Sequence, residues 1–454
     1  MSSDYFTAMS LTLVLLILAA CVLFIILSTS VFKLHPFVSL VLVSIGAGFA
    51  FGFSGHEIVS ILSSGFGNIL AYIGVVIVLG SVLGELLEKS GGAQVIANSI
   101  LNGFGARNPQ LALSSLGAIV GVPVFCDTGF IILSRLTNSI AKAKGFSPKK
   151  LSVGLAAGLY TTHTLIPPTP GPIAASGNLG ISDYLGIVML LGLGITIPVI
   201  FISYLAIQRM DLNSHQLEVH PEVAEDDSTG LHMPIWRAYF PILLPIVLIA
   251  LGTTSKLMEL QGVWGSLLNF LGNPLVALLI SVLLGYSILG LSSSKEYQSM
   301  ITNGVKAAGP VLIITGAGGA FGSILKASSM ADNLESFMQS FEGSSLTLVL
   351  IAFVLAAILK TSQGSSTSAI VITSSMLAPI LPIVGITQPF DIALVVMAIG
   401  AGAMTLSHAN DSYFWVVSQF GGLSVREAYR SYTVVTLIQG ITTLLIVVGL
   451  SVLV

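Results

Sequence analysis

The sequence predicts an all-α integral membrane protein made of two inverted-topology repeats, each with a re-entrant hairpin and a broken helix. Three observations support this fold class. Of the 454 residues, 54% are hydrophobic and only 8% are charged, which is far from the balance of a soluble domain. Long uncharged runs recur along the whole chain, and similar motifs recur in its two halves. The runs lack β-barrel alternation, so we expect helical segments.

The uncharged runs indicate how many segments enter the membrane. About 20 apolar residues cross the hydrocarbon core as a helix, so we expect roughly ten to fourteen membrane segments. These runs include 5–32, 58–84, 184–208, 260–294, 361–390 and 431–454. The lipid bilayer is therefore the first partner of this multi-pass chain.

Charge and cysteine content exclude other partners. The formal net charge of -3 is spread thinly, and no basic run indicates nucleic-acid binding. Cys21 and Cys126 lie far apart in apolar surroundings, so they give neither a disulfide framework nor a metal-binding spacing. We expect no cofactor.

A polar linker at 209–237 divides the chain into an N-terminal repeat, 1–208, and a C-terminal repeat, 238–454. Sliding one half over the other by 238 residues aligns 80–93 with 318–331, with five identities in fourteen positions. The same offset places Asp127 on Ser365 and Thr128 on Ser366. A further slip of seven residues places His163 on His408. These matches predict an internal duplication.

Loop charge predicts that the repeats are inverted. The connection after Asp127 carries Lys142, Lys144, Lys149 and Lys150, which the positive-inside rule places in the cytoplasm. The corresponding connection of the second half, VGITQPFD, has no basic residue and is better placed outside.

Proline content predicts a broken helix near 151–182. The motif TTHTLIPPTPGP at 161–172 lies in a stretch without charged residues, yet each proline inside a helix costs about 3 kcal/mol. Unwound backbone at membrane depth is stable only where protein or a wet cavity surrounds it. The equivalent segment, TLSHANDSYFW, predicts a second broken helix near 392–420.

Two further motifs combine turn residues with apolar flanks. GVPVFCDTGF predicts a hairpin near 110–140, and KTSQGSSTSA predicts another near 346–380. In inverted-repeat transporters the exposed ends of such half-helices offer backbone N–H groups to anions and carbonyl groups to cations. We therefore expect the four broken elements to form one binding site.

The candidate residues are polar side chains in these four elements. The predicted substrate-binding residues are Thr161, Thr162, His163, Thr164, Ser365, Ser366, Thr367, Ser407, His408 and Asn410. The predicted ion-coupling residues are Asp127, Thr128 and Asp411. A charge inside a membrane span costs about 2.5–3.5 kcal/mol on insertion scales, so such residues usually have a function.

Structural roles remain open for several of them. Asp127 could accept bonds from backbone amides of its hairpin, and Asp411 could simply cap a helix. His163 and His408 could fasten neighbouring helices. Lys360 could extend its amine to the interface or attract an anion.

Three motifs resemble signature stretches of the gluconate permease family of bacterial proton symporters. They are GVPVFCDTGF, HTLIPPTPGP, and SHANDSYFW followed by LSVREAYRSYTV. The resemblance implies an inner-membrane secondary transporter for gluconate and related sugar acids, with some members carrying a hydroxylated amino acid. It also implies a dimer in which a mobile domain carries the paired hairpins in an elevator motion.

The chain departs from many relatives within these motifs. They have Glu in place of Asp127, His in place of Thr169, and Ala in place of Ser366. We expect proton-coupled symport of gluconate, a related sugar acid or another small hydroxylated carboxylate by a homodimer. Sodium coupling, a cargo such as D-serine, and a passive channel are the alternatives. An intramembrane hydrolase is disfavoured, because neither a nucleophile elbow nor an HExxH motif is present.

Overall fold

A computed structural model describes residues 11–103, 108–212, 233–289, 294–328, 345–409 and 411–453. Every regular element within these ranges is helical, which confirms the predicted fold class. In the N-terminal half the helices are α1 (Leu11–Ser30), α2 (Pro36–Ala50), α3 (Gly55–Lys89), α4 (Gly92–Gly103), α5 (Pro109–Val120), α6 (Cys126–Lys144), α7 (Pro148–Leu165), α8 (Pro170–Asn178) and α9 (Leu185–Gln208).

The C-terminal half repeats this order of elements. Its helices are α10 (Ile235–Leu257), α11 (Gly262–Leu271), α12 (Pro274–Ile288), α13 (Ser294–Ala327), α14 (Ser345–Gln363), α15 (Ser366–Leu377), α16 (Pro389–Met404), α17 (Ser412–Phe420), α18 (Val425–Ala428) and α19 (Val434–Leu453). A short π-helix, Tyr429–Thr433, links α18 to α19. Each half thus contains one very long helix, a hairpin, a broken helix and a final long helix.

Length and composition identify the helices that can cross a bilayer. Within the described ranges, five helical segments qualify, or up to seven if each of two bent pairs forms one span. The five are Ser182–Gln208, Ile235–Leu257, Lys295–Ala327, Leu346–Gln363 and Val425–Leu453. Five further apolar helices are shorter, and most of these belong to the hairpins and broken helices. The predicted total of ten to fourteen segments stays a prediction.

Packing between the halves is reciprocal. The long helices α3 and α13 pack against each other. The second helix of the first hairpin, α6, packs on α17, and the second helix of the other hairpin, α15, packs on α8. Each hairpin therefore contacts the broken helix of the opposite half.

Glycines on the two long helices allow the hairpins to approach. On α3, a Cβ at Gly84 would overlap the carbonyl oxygen of Pro123, at the tip of the first hairpin. At the matched position on α13, a Cβ at Gly322 would lie 3.1 Å from the carbonyl oxygen of Ser375 in the second hairpin. The two matched glycines thus each face backbone of the hairpin in their own half, Gly84 at the tip and Gly322 along α15.

Candidate functional site

The two hairpin tips, the C-terminal part of α7 and the start of α17 surround one cavity of about 300 Å³. The cavity lies where the chain leaves regular helix, because the tips and breaks are the points at which backbone groups and polar side chains are exposed. Its lining residues are Phe125, Cys126, Asp127, Tyr160, His163, Gln363, Gly364, Ser365, Ser366, Thr367, Asp411, Ser412 and Tyr413.

Prolines separate α7 from α8. Helix α7 ends at Leu165, and α8 begins at Pro170 with Thr169 as its N-cap. Pro167 and Pro168 lie between them, where they cannot donate helical hydrogen bonds. A second, narrower cleft lies beside this break, and His163 and Phe125 line both it and the main cavity.

The other broken helix is interrupted by polar residues instead. Helix α16 ends at Met404, and Leu406 takes a left-handed backbone conformation with φ 54°. Asp411 then caps α17 by accepting a hydrogen bond of 3.0 Å from the backbone N–H of Tyr413. The predicted capping role of Asp411 is therefore present in the structure.

Three helices begin at the cavity. Helix α6 starts at Cys126, α15 at Ser366 and α17 at Ser412, and these first residues all line the cavity. A helix N-terminus carries a partial positive charge and unpaired N–H groups, so it favours anions. The N-cap of α6, Phe125, has no side chain that could bond these groups. The three N-termini together provide a setting for a carboxylate.

A buried ion pair lies beside the cavity. The amine of Lys360 lies 2.6 Å from Asp411 Oδ2, and the two side chains are 1% and 7% exposed. The same amine also donates to the carbonyl oxygen of Gly364, and it lies 5.8 Å from the ring centroid of Tyr160. Ser407 donates from its hydroxyl to Asp411 Oδ2. Lys360 and Asp411 thus connect the second hairpin to the second break.

Asp127 differs from Asp411 in its surroundings. It is partly buried at the cavity wall, and the hydroxyl of Ser412 lies 3.5 Å from its Oδ1. Among the side chains that the structure describes, no lysine or arginine lies within 4.0 Å of its carboxylate. One carboxylate at the site is therefore neutralised by a cation, and the other faces the cavity without one.

The structure brings together six of the predicted site residues. Asp127, His163, Ser365, Ser366, Thr367 and Asp411 all line the cavity. Ser407 lies behind Asp411, and Thr128 follows Asp127 in the first turn of α6. Asn410 lies outside the described residues.

Three predicted threonines do not reach the cavity. The hydroxyls of Thr161, Thr162 and Thr164 donate to carbonyl oxygens one turn back in α7. Because α7 continues to Leu165, the backbone N–H groups at 162–164 lie within helix and are not available to a ligand. The break begins later in the chain than the motif suggests, since the prolines rather than the threonines end the helix.

The two histidines occupy different places. His163 lies in the last turn of α7, lines the cavity, and has no partner for its Nδ1 among the described residues. His408 lies in the break after α16, and its Nε2 is 3.1 Å from the carbonyl oxygen of Thr361. The sequence alignment of these two residues therefore does not correspond to equivalent structural positions.

Lys360 corrects one of the sequence interpretations. Its amine does not extend to the interface, because the side chain is almost fully buried and paired with Asp411. The sequence did contain a signal for a buried, paired lysine, since Lys360 is the only charged residue between Glu342 and Asp391. Tyr160, Gln363, Ser412 and Tyr413 also line the cavity without having been predicted, because an uncharged residue next to a motif carries no comparable signal.

The fold and the site together define a class of protein. Hairpins and broken helices that enclose a polar cavity inside a multi-pass helical protein are the architecture of a membrane transporter. The family model described as GntP family permease matches residues 12–454, so the chain belongs to this family. The resemblance found in the motifs is thereby confirmed. The protein is a permease of the inner membrane and not an enzyme.

Curated relatives match the chain over nearly its full length. It is 33% identical to the inner membrane permease YgbN of Escherichia coli strain K12, over 96% of this chain and 98% of that protein. It is 31% identical to a gluconate permease of Zymomonas mobilis, over 97% and 98%. It is 32% identical to the D-serine transporter DsdX of Escherichia coli strain CFT073, over 93% and 95%.

Solved structures share the fold. The YdaH transporter of Alcanivorax borkumensis, described as having an unusual topology, superposes with a TM-score of 0.67 at 15% sequence identity. The match covers 92% of this chain and 98% of that one. At this identity the likeness concerns the fold alone.

Proposed function

We propose that the protein carries gluconate, or a related sugar acid or small hydroxylated carboxylate, across the inner membrane together with protons. One observation carries the proposal: the N-termini of α6, α15 and α17 all begin at the same cavity. Their N–H groups and dipoles suit a single carboxylate, and the hydroxyls of Ser365, Ser366 and Thr367 suit a polyol chain.

The size of the cavity supports a small cargo. Small-molecule sites are typically about 300–1,000 Å³, so this cavity lies at the lower end of that range. A dicarboxylate would call for more positive charge than the cavity provides, because Lys360 is already paired with Asp411. A cargo with one carboxylate fits the charge better.

Asp127 is the proposed proton carrier. It lines the cavity without a cationic partner, so its negative charge opposes an anionic cargo. A proton on this carboxylate removes that repulsion, and proton and cargo then favour each other's binding, as symport requires. His163 and Asp411 also line the cavity, and their charges can modulate the effect.

Sodium is the rival coupling ion. The hydroxyls of Ser365, Ser366 and Thr367, with hairpin carbonyls and Asp127, supply the oxygen atoms that an alkali cation prefers. Uptake into proteoliposomes separates the two. Proton coupling predicts accumulation driven by a pH gradient without sodium, and dependence on a sodium gradient at fixed pH would contradict it.

The reciprocal packing supports transport by two inverted repeats. Each hairpin packs on the broken helix of the opposite half, so hairpins and breaks form one unit that can move against the long helices as an elevator. A homodimeric scaffold is part of this proposal. Single cysteines at the two hairpin tips should change their labelling from either side when cargo is added, and unchanged labelling would contradict the motion.

D-Serine is the second candidate cargo. The unpaired carboxylate of Asp127 could bind an ammonium group, and a relative 32% identical to this chain is named a D-serine transporter. Counterflow of labelled gluconate in proteoliposomes, with unlabelled sugar acids and D-serine as competitors, distinguishes the cargoes. The sugar-acid proposal fails if no sugar acid produces counterflow, and a passive channel would produce none with any cargo.

A further inference from the structure

One residue of the cavity has an amide group that makes no hydrogen bond within the described part of the chain. Gln363 is the last residue of α14, directly before the hairpin tip at Gly364. Both its Nε2 and its Oε1 are shielded from solvent and have no hydrogen-bond partner among the described residues. Gln363 is one of the residues that line the cavity, so its amide lies directly behind the cavity surface, where a side-chain rotation would bring it to a bound cargo.

Another buried glutamine shows what a structural amide does in this protein. Gln439 lies in α19 and donates from Nε2 to the hydroxyl of Thr161 at 2.7 Å and to the carbonyl oxygen of Ala157 at 2.9 Å. Its Nε2 thereby joins α19 to α7, while its Oε1 has no partner among the described residues. Gln363 makes no such connection within the described part of the chain, although burying an unpaired polar group is unfavourable.

We propose that Gln363 is a specificity-determining residue that binds hydroxyl groups of the cargo. This inference rests on the proposed function. A glutamine amide offers two N–H donors and one carbonyl acceptor, while each hydroxyl of a sugar acid is both donor and acceptor. One amide can therefore donate to one hydroxyl while it accepts from another, whereas an ionised carboxylate only accepts and a helix N-terminus only donates.

The arrangement divides the cavity by chemistry. The starts of α6, α15 and α17 receive the carboxylate, while Gln363 of the second half and His163 of the first half supply unpaired polar atoms for hydroxyls. Lys360 is one turn away from Gln363 on α14, but its amine is already bonded to Asp411 and Gly364. Gln363 therefore adds an amide to the hydroxyl groups that this hairpin offers the cargo.

A site built to bond a hydroxyl discriminates against an analogue that lacks it. In wild-type protein, gluconate should compete about tenfold better than the monodeoxygluconate that binds most weakly. A tenfold difference in affinity corresponds to the loss of one neutral hydrogen bond. In Gln363→Met, which keeps the length of the side chain without its polar atoms, the two competitors should become nearly equal. Gln298→Met is the matched control, since Gln298 is exposed on α13 away from the cavity.

The measurement is counterflow of labelled gluconate into proteoliposomes containing the full-length protein, with gluconate and each monodeoxygluconate as competitors. Discrimination by Gln363→Met equal to that of wild type overturns the inference while leaving the proposed function intact. An equal loss of affinity for all competitors also overturns it, because that outcome indicates a structural role. If wild-type protein shows no sugar-acid counterflow, the proposed function itself is wrong.

A second variant covers the case in which Gln363→Met does not fold. Gln363→Asn keeps an amide but withdraws it by one methylene group, and it preserves the polarity at the end of α14. We expect it to lose the same discrimination while binding gluconate more weakly. Wild-type discrimination in this variant would overturn the proposal.

Discussion

The amine of Lys360 and the carboxylate of Asp411 form an ion pair of 2.6 Å that is almost completely buried. Lys360 lies in the last turn of α14, which is the first of the two helices of the second hairpin. Asp411 caps α17 after the second break. The pair therefore fixes the hairpin tip relative to the start of α17. Both elements contribute walls of the cavity, so the ion pair determines the geometry of the site as well as its charge.

Removing one member of this pair should destabilise the protein strongly. Lys360→Met leaves Asp411 buried without a cation, and Asp411→Asn leaves Lys360 without an anion. Breaking a buried pair in this way costs about 3–5 kcal/mol. We expect both single variants to melt well below wild type in detergent, as measured by the thermal loss of a monodisperse gel-filtration peak.

The double variant is the control for this effect. Lys360→Met combined with Asp411→Asn buries no unpaired charge, so it should melt above both single variants. Additive losses in the double variant would show that the two charges do not interact.

Close packing between α3 and the first hairpin gives a second prediction. A Cβ at Gly84 would overlap the carbonyl oxygen of Pro123, and backbone cannot move aside as a flexible side chain can. Gly84→Ala should therefore cost about 1–3 kcal/mol. Gly67→Ala on the same helix has no atom within 4 Å of the new Cβ, so its melting temperature should equal or exceed that of wild type. Equal melting temperatures for both variants would contradict the packing.

The sequence predicted the architecture more accurately than it predicted the contacts between side chains. Composition and uncharged runs predicted a helical membrane protein, and prolines and turn residues predicted where the helices break. These features act locally, since proline interrupts the helix that contains it. The ends of α7 and α16 accordingly fall within the predicted broken segments.

Contacts between residues that are distant in sequence could not be predicted in this way. Whether a threonine faces a cavity or bonds to its own helix depends on where that helix ends, and Thr162 lies just before the end of α7. The pairing of Lys360 with Asp411 joins residues 51 positions apart and depends on how the hairpin packs on the break. Spacing along the chain does not contain that information.

The second hairpin tip should control access to the cavity. Ser365 is exposed at the tip and caps α15 by accepting a bond of 3.2 Å from the backbone N–H of Ser368. Ser365→Leu places a bulky side chain in the cavity and should abolish uptake of labelled gluconate. Ser365→Ala loses the cap, at about 1 kcal/mol, and one of the three hydroxyls at the tip, but it adds no bulk and should retain uptake with a higher KM. Wild-type uptake by Ser365→Leu would contradict the location of the site.

The threonines of α7 give the complementary prediction. Because the hydroxyls of Thr162 and Thr164 bond within their own helix, neither should contribute to cargo binding. Thr162→Val and Thr164→Val should change the KM for cargo by less than about threefold, which is under 1 kcal/mol. A rise in KM of tenfold or more in either variant, without loss of folded protein, would place these residues back in the site.

Asp127 gives the last prediction, which concerns coupling. Asp127→Asn mimics the protonated carboxyl group, so the repulsion between this residue and an anionic cargo is permanently absent. The variant should bind and exchange cargo at low and at high pH alike. Wild-type protein should bind cargo more tightly as the pH falls, because protonation of Asp127 is linked to cargo binding.

Two assays on the same proteoliposomes separate exchange from accumulation. Asp127→Asn should keep counterflow of labelled gluconate but lose accumulation driven by an inward proton gradient. Asp127→Glu is the control, since it retains a carboxyl group, and it should keep both activities. If Asp127→Asn still accumulates cargo against a gradient, the proton travels on another group, and Asp411 and His163 are the remaining titratable candidates at the cavity that can be tested in the same way.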